Sequence, residues 1–144
     1  MPFDHQKLDV YQVAIDFVAL ADDVVEALPR GRAYLADQLQ RASTSIPLNV
    51  AEGAGEFSRK DKARFYRMAL RSATECAALL DVCRKLRLVD PAQLQRGHDL
   101  LDRAVAMLTK MARAMGEEPE RASPGAGAGA GTGAGNRILT ATRA

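Results

Sequence analysis

The 144-residue chain has no tryptophan and only four phenylalanines and three tyrosines. A core with so few rings must be aliphatic. With 47% of residues apolar, the composition points to packed, alanine-rich helices rather than a β-sandwich. No run of 18 apolar residues occurs, which excludes a membrane-spanning helix on length. The opening decapeptide, MPFDHQKLDV, lacks the apolar centre of a secretory signal, so a cytoplasmic protein without membrane partners is expected. Cysteine is confined to Cys76 and Cys83. Seven residues apart on one helix face, they stand about 10.5 Å apart, too far for a disulfide. Buried, reduced thiols are expected.

Other shortages exclude chemistry. The two histidines, His5 and His98, have no metal-ligand spacing to the cysteines. Neither Glu52 nor Glu75 opens a Glu-x-x-His pair, which a di-iron bundle needs. Neither histidine has the upstream arginine of a helical-bundle ribonuclease, and no phosphate loop surrounds Gly53 and Gly55. Glu52 and Glu75 remain as a conceivable acid/base pair, with no nucleophile or oxyanion site to accompany them. The expectation is a non-catalytic protein without metal or cofactor.

What is present is helical periodicity. Val10, Ala14, Phe17, Leu20 or Ala21, Val24 and Leu28 form one stripe, widened by Val13, Val18 and Val25. Asp4 or Asp9 is the expected cap, and Pro29-Arg30-Gly31 the break. A second helix starts near Ala33 or Tyr34 and carries QLQRASTSIPLNVAEG (38–53). Leu39, Ala42, Ile46, Val50 and Gly53 are its apolar stripe; Arg41, Ser45, Asn49 and Glu52 are polar beside it. Pro47 inside this helix removes a backbone donor, and the hydroxyls of Ser43, Thr44 and Ser45 are candidates to serve the freed carbonyls. Gly53-Ala54-Gly55 is expected to end it through a left-handed glycine.

Ser58 to Asp61 reads as a capping box opening a third helix that runs to Leu86 or Arg87. Asp90-Pro91 opens a fourth, ended by Gly116. Four helices with short connections make an all-α, antiparallel up-down-up-down four-helix bundle over residues 1–116. The wide apolar faces of the first and third helices predict self-association. Within residues 117–144, positions 125–135 alternate glycine with alanine or threonine. They have little to bury against the entropy of ordering, so a disordered Gly/Ala-rich tail is expected.

Charge is unevenly placed although the net is only +2. Residues 1–28 hold one lysine against six acids, and residues 30–87 hold twelve Lys/Arg against six acids. Lys60, Arg64, Arg67 and Arg71 fall at i, i+4, i+7 and i+11, hence on one face of the third helix, flanked by Arg59 and Lys62. Such a face can neutralise phosphates of RNA or DNA. A solvated face, or pairing with the acidic first helix across a subunit contact, is the alternative. Tyr66 is the aromatic beside the stripe and Tyr34 lies in another helix, so contact with the backbone is favoured over base recognition.

Three segments, LDVYQVAIDF (8–17), QLQRASTSIPLNVAEG (38–53) and RFYRMALRSATECAALL (64–80), together resemble the 23S rRNA intervening-sequence protein family over about residues 3–110. That family is distantly similar to the accessory protein of diversity-generating retroelements, a pentamer that binds a reverse transcriptase and nucleic acid. The resemblance implies an antiparallel four-helix bundle assembled as a ring-like homopentamer, without enzymatic activity. On matching positions, Arg41, Ser45, Asn49 and Glu52 belong to the central motif, as do Ser72 and Glu75. They form either a structural polar network or an exposed recognition face. The functional expectation is a self-assembling scaffold binding nucleic acid through Lys60, Arg64, Arg67 and Arg71. The alternative is a protein–protein adaptor for a partner such as a nucleic-acid-processing enzyme.

Overall fold

Local sequence signals open the third and fourth helices where they were expected. The computed structural model describes residues 2–116, and the tail expected over 117–144 lies outside them. A 3₁₀ turn at Asp4–Lys7 leads into α1 (Asp9–Ala27), α2 (Ala33–Gly55), α3 (Arg59–Lys85) and α4 (Pro91–Gly116). Ser58 caps α3, its hydroxyl accepting from the Asp61 N–H at 3.0 Å. Pro91 is the first residue of α4, and the Leu94 N–H reaches the Asp90 carbonyl at 3.0 Å.

Three ends differ from the sequence reading. The cap of α1 is Leu8, with no side-chain bond. Asp9 is instead the first helical residue, where its charge still complements the helix N-terminus. No glycine at the end of α2 is left-handed; the chain leaves through extended Glu56. Gly53 is needed for space, because a Cβ there would stand 2.6 Å from Cε1 of Tyr66. At the end of α3, Arg87 takes the left-handed conformation at φ 56°. The Leu88 N–H bonds to the Cys83 carbonyl and the Arg87 N–H to the Arg84 carbonyl, at 2.9 and 3.0 Å. That paired pattern is a Schellman ending, carried here by a residue other than glycine.

Helix α2 runs unbroken through the buried Pro47. Proline deprives the Ser43 carbonyl of its usual donor. The hydroxyls of Ser43 and Thr44 brace the preceding turn instead, donating to the Gln40 carbonyl at 3.2 and 2.8 Å. Sequence had offered them to the freed carbonyl.

Helix α3 packs on α2 and α4, and α1 packs on α2 and α4 from the opposite corner. Alternating direction through short connections gives the up-down-up-down four-helix bundle, with no strand among the described residues. Phe17, Leu39, Ile46, Leu80 and Leu101 centre one core cluster. Val10, Val50, Tyr66 and Leu108 centre the other, nearer the α2–α3 connection. Within one chain Val13 is buried and Val18 and Val25 half-buried, so the bundle itself covers much of the wide α1 face. Cys76 and Cys83 are free and buried. No helix among the described residues is long and apolar enough to cross a membrane.

Candidate nucleic-acid interface

The first six residues of α3 carry four cations, and the fold uses them in two ways. Lys62 Nζ reaches back to the last turn of α2, donating to the carbonyls of Gly53 and Ala54 at 3.2 and 3.0 Å. A guanidinium nitrogen of Arg59 donates to the Ala114 carbonyl in the last turn of α4. Both cations therefore cap the negative ends of neighbouring helices. The flanking charges read from sequence as part of a phosphate-binding face are engaged elsewhere.

Lys60, Arg64, Arg67 and Arg71 remain. All four are exposed and make no ion pair among the described residues. Their helical positions fall within about 60° of one another, turned away from the buried face of Tyr66, Ala69 and Ala73. The Arg64 guanidinium lies 4.8 Å from the ring centroid of Phe65, a cation–π contact that orients it without neutralising it. Arg59, Lys60 and Arg67 share a cleft of about 330 Å³ with Ala63, Met115 and Gly116. The side chains here hold positive charge outward and bring no acid to meet it.

Tyr66, the aromatic that sequence set beside the stripe, is 4% exposed and presses on Gly53. Burial pushes its hydroxyl pKa up. It is core. The ring held against a cation is Phe65, half-buried beneath Arg64; the fully exposed ring near the stripe in sequence is Phe57, in the Glu56–Ser58 connection. Its place one residue before a cap gave no signal of exposure, since such residues usually pack.

The motif positions lie along the outer α2–α3 groove. The Ser72 hydroxyl donates to the Ser45 hydroxyl at 2.8 Å, the one side-chain hydrogen bond joining the two motif halves. Asn49 Nδ2 donates to the Ser45 carbonyl and hydroxyl at 2.8 and 2.9 Å. Arg41 and Glu75 sit exposed on the rims of a cleft of about 340 Å³ that also includes Ser45 and Ser72. Glu52 is exposed, adjoins Gly53, and stands about 14 Å along the bundle from Glu75 at 1.5 Å per residue. The two carboxylates share no reacting centre. Ser45, Asn49 and Ser72 thus form a small network with half-buried members, while Arg41, Glu52 and Glu75 face outward.

The sequence model of the family described as 23S rRNA-intervening sequence protein matches residues 6–110. The chain belongs to this family. The matched span takes in the whole motif groove and the whole basic stripe, and it stops in α4 before the glycine-rich tail. No curated protein matches the chain. A cleft of about 440 Å³ between α1 and α4 sets Asp16, Asp23 and Asp99 against Arg96 and Arg103. Its mixed signs suit no polyanion, whereas the α3 stripe carries one sign.

Proposed function

We propose that this member of the 23S rRNA-intervening sequence protein family is a non-catalytic, self-assembling cytoplasmic scaffold that binds nucleic acid. The ligand, RNA or DNA, lies along Lys60, Arg64, Arg67 and Arg71. One observation carries the reading: four exposed cations on a single helix face, without an acidic partner among the described residues. Neutralising four phosphates gives a slope near −3.6 for log K against log salt on duplex DNA. Removing two cations with Arg64→Ala and Arg67→Ala halves it to about −1.8. Arg59 and Lys62, already engaged as caps, add nothing to this count.

Self-assembly, as a homopentamer by resemblance to the family, draws support from the α2–α3 groove. Leu48 and Met68 are 64% and 42% exposed. Each stands about one turn from the Ser45–Ser72 contact, toward the α2–α3 connection. The same pair favours a second reading, a protein adaptor that docks a partner on this groove without touching nucleic acid. Light scattering coupled to size exclusion, with and without RNA across a salt series, separates them. A ring-sized mass that takes up RNA at low salt and releases it at high salt supports the scaffold. A ring that ignores RNA at low salt overturns it in favour of the adaptor.

A further inference from the structure

We infer that Phe57 stacks on an unpaired base of the nucleic acid held by the stripe, making the site one for single-stranded RNA or DNA. The inference rests on the stripe being the nucleic-acid site. A lone exposed apolar side chain needs no explanation by itself; the setting of Phe57 supplies the argument.

The ring is 101% exposed and touches nothing in the fold. It occupies the position before the Ser58 cap, where an apolar side chain ordinarily packs against the fourth residue of the helix. That residue is Lys62, which is turned back onto the Gly53 and Ala54 carbonyls. The usual partner is therefore withdrawn, and the ring points to solvent. The connection that displays it is short and pinned at both ends. Lys62 holds the end of α2, and the Ser58 hydroxyl accepts from the Asp61 N–H. The backbone that presents the ring is thus ordered before binding, and only the side chain's own rotamers remain to be fixed.

Its place fits the cations. Phe57 is three residues from Lys60, so the two Cα atoms lie within about 11 Å however the chain runs. Arg64 follows one helical turn further along the stripe. A strand whose phosphates lie on Lys60 and Arg64 brings the next base to the ring. Stacking is open to any base because every base has a π-face, and it requires that base to be out of a duplex. Tyr66 cannot substitute, because it is buried against Gly53.

The test uses fluorescence anisotropy on the full chain with labelled oligouridylate, oligothymidylate and an RNA duplex of equal length. Phe57→Ala weakens single-strand binding roughly 5- to 150-fold. It leaves duplex binding and the salt slope unchanged, because no charge is lost. Phe57→Trp restores affinity and places the sole tryptophan of the chain at the site, so its emission is quenched on binding the single strand. Unchanged single-strand affinity for Phe57→Ala, with affinity and salt slope still reduced by Arg64→Ala and Arg67→Ala, overturns the stacking while the stripe stands. A loss of assembled mass for Phe57→Ala at unchanged affinity also overturns it, and assigns the ring to a contact between copies. Absence of binding by the unaltered protein to any of the three probes overturns the stripe and the stacking together.

Discussion

Gly53 and Gly55 stand in the same last turn of α2, and neither has a positive φ. Alanine nevertheless acts oppositely at the two. Alanine is better than glycine in a helix by about 1 kcal/mol, and at Gly55 nothing within 4 Å meets a new Cβ. Gly55→Ala therefore stabilises by up to about 1 kcal/mol. At Gly53 the added atom lies 2.6 and 2.9 Å from Cε1 and Cδ1 of Tyr66, and 3.2 Å from Cβ of Phe65. The Tyr66 ring is packed in the lower core cluster with Val50 and Leu108 and has nowhere to swing. Overpacking of this kind costs about 1–3 kcal/mol, which exceeds the gain in propensity. Gly53→Ala is thus destabilising by about 1 kcal/mol, with a gap of about 2 kcal/mol between the two variants. Urea unfolding reads it as midpoints displaced in opposite directions at constant slope. Tyr66→Leu, destabilising by itself, removes the obstructing ring carbons. In that background Gly53→Ala becomes neutral or stabilising, a coupling only neighbours show. If Gly53→Ala raises the urea midpoint as much as Gly55→Ala, the close approach is not what selects glycine.

Arg87→Gly relieves the left-handed backbone at φ 56° and raises stability by up to about 1 kcal/mol, read as a higher urea midpoint. An unchanged or lowered midpoint contradicts the Schellman assignment. The Cys76 thiol is pushed up to about 12 from 9.0, chiefly by burial and secondarily by the nearby Glu75 charge. The folded chain then keeps a proton that the unfolded chain loses, so this contribution is intact below about pH 9 and declines as pH rises toward 12. The slope reaches about 1.4 kcal/mol per pH unit. Cys76→Ala flattens the fall in urea midpoint above about pH 9, leaving the smaller share of Cys83, whose thiol burial also raises. An equally steep fall in the variant refutes the assignment.

The sequence carried the bundle because its signals are short-range. Ser58 and Asp90-Pro91 open helices with bonds to residues three or four away, and the stripes at Leu39, Ile46 and Val50 or Ala69, Ala73 and Leu80 are buried as spaced. The membership seen in the central stretch has the same source, since the motif is contiguous. What sequence misjudged depends on who stands opposite. Gly53 looked like a helix terminator because nothing local announces the Tyr66 ring against it. Arg59 and Lys62 read as charges flanking the stripe, although the carbonyls they serve belong to residues 55 and 8 positions away. Tyr66 was set beside the stripe and proved to be core, and Phe57 drew no reading, for the same reason. An aromatic inside a helix is buried or exposed according to its phase, whereas one in a three-residue connection has no phase to read. The outward turn of Arg41, Glu52 and Glu75 beside the tied Ser45, Asn49 and Ser72 was equally illegible.

The two caps delivered from the start of α3 bear on how the molecule opens. Lys62 closes the end of α2 and Arg59 the end of α4, so three helix termini are tied through four consecutive residues. None of these ends can fray alone without stripping a cation from another. Amide hydrogen exchange in the last turns of α2 and α4 and the first turn of α3 should therefore proceed as one cooperative unit. Helix ends are ordinarily the fastest-exchanging part of a bundle. Here the end that presents the basic stripe is held in register, so the proposed ligand would meet a surface set before it arrives.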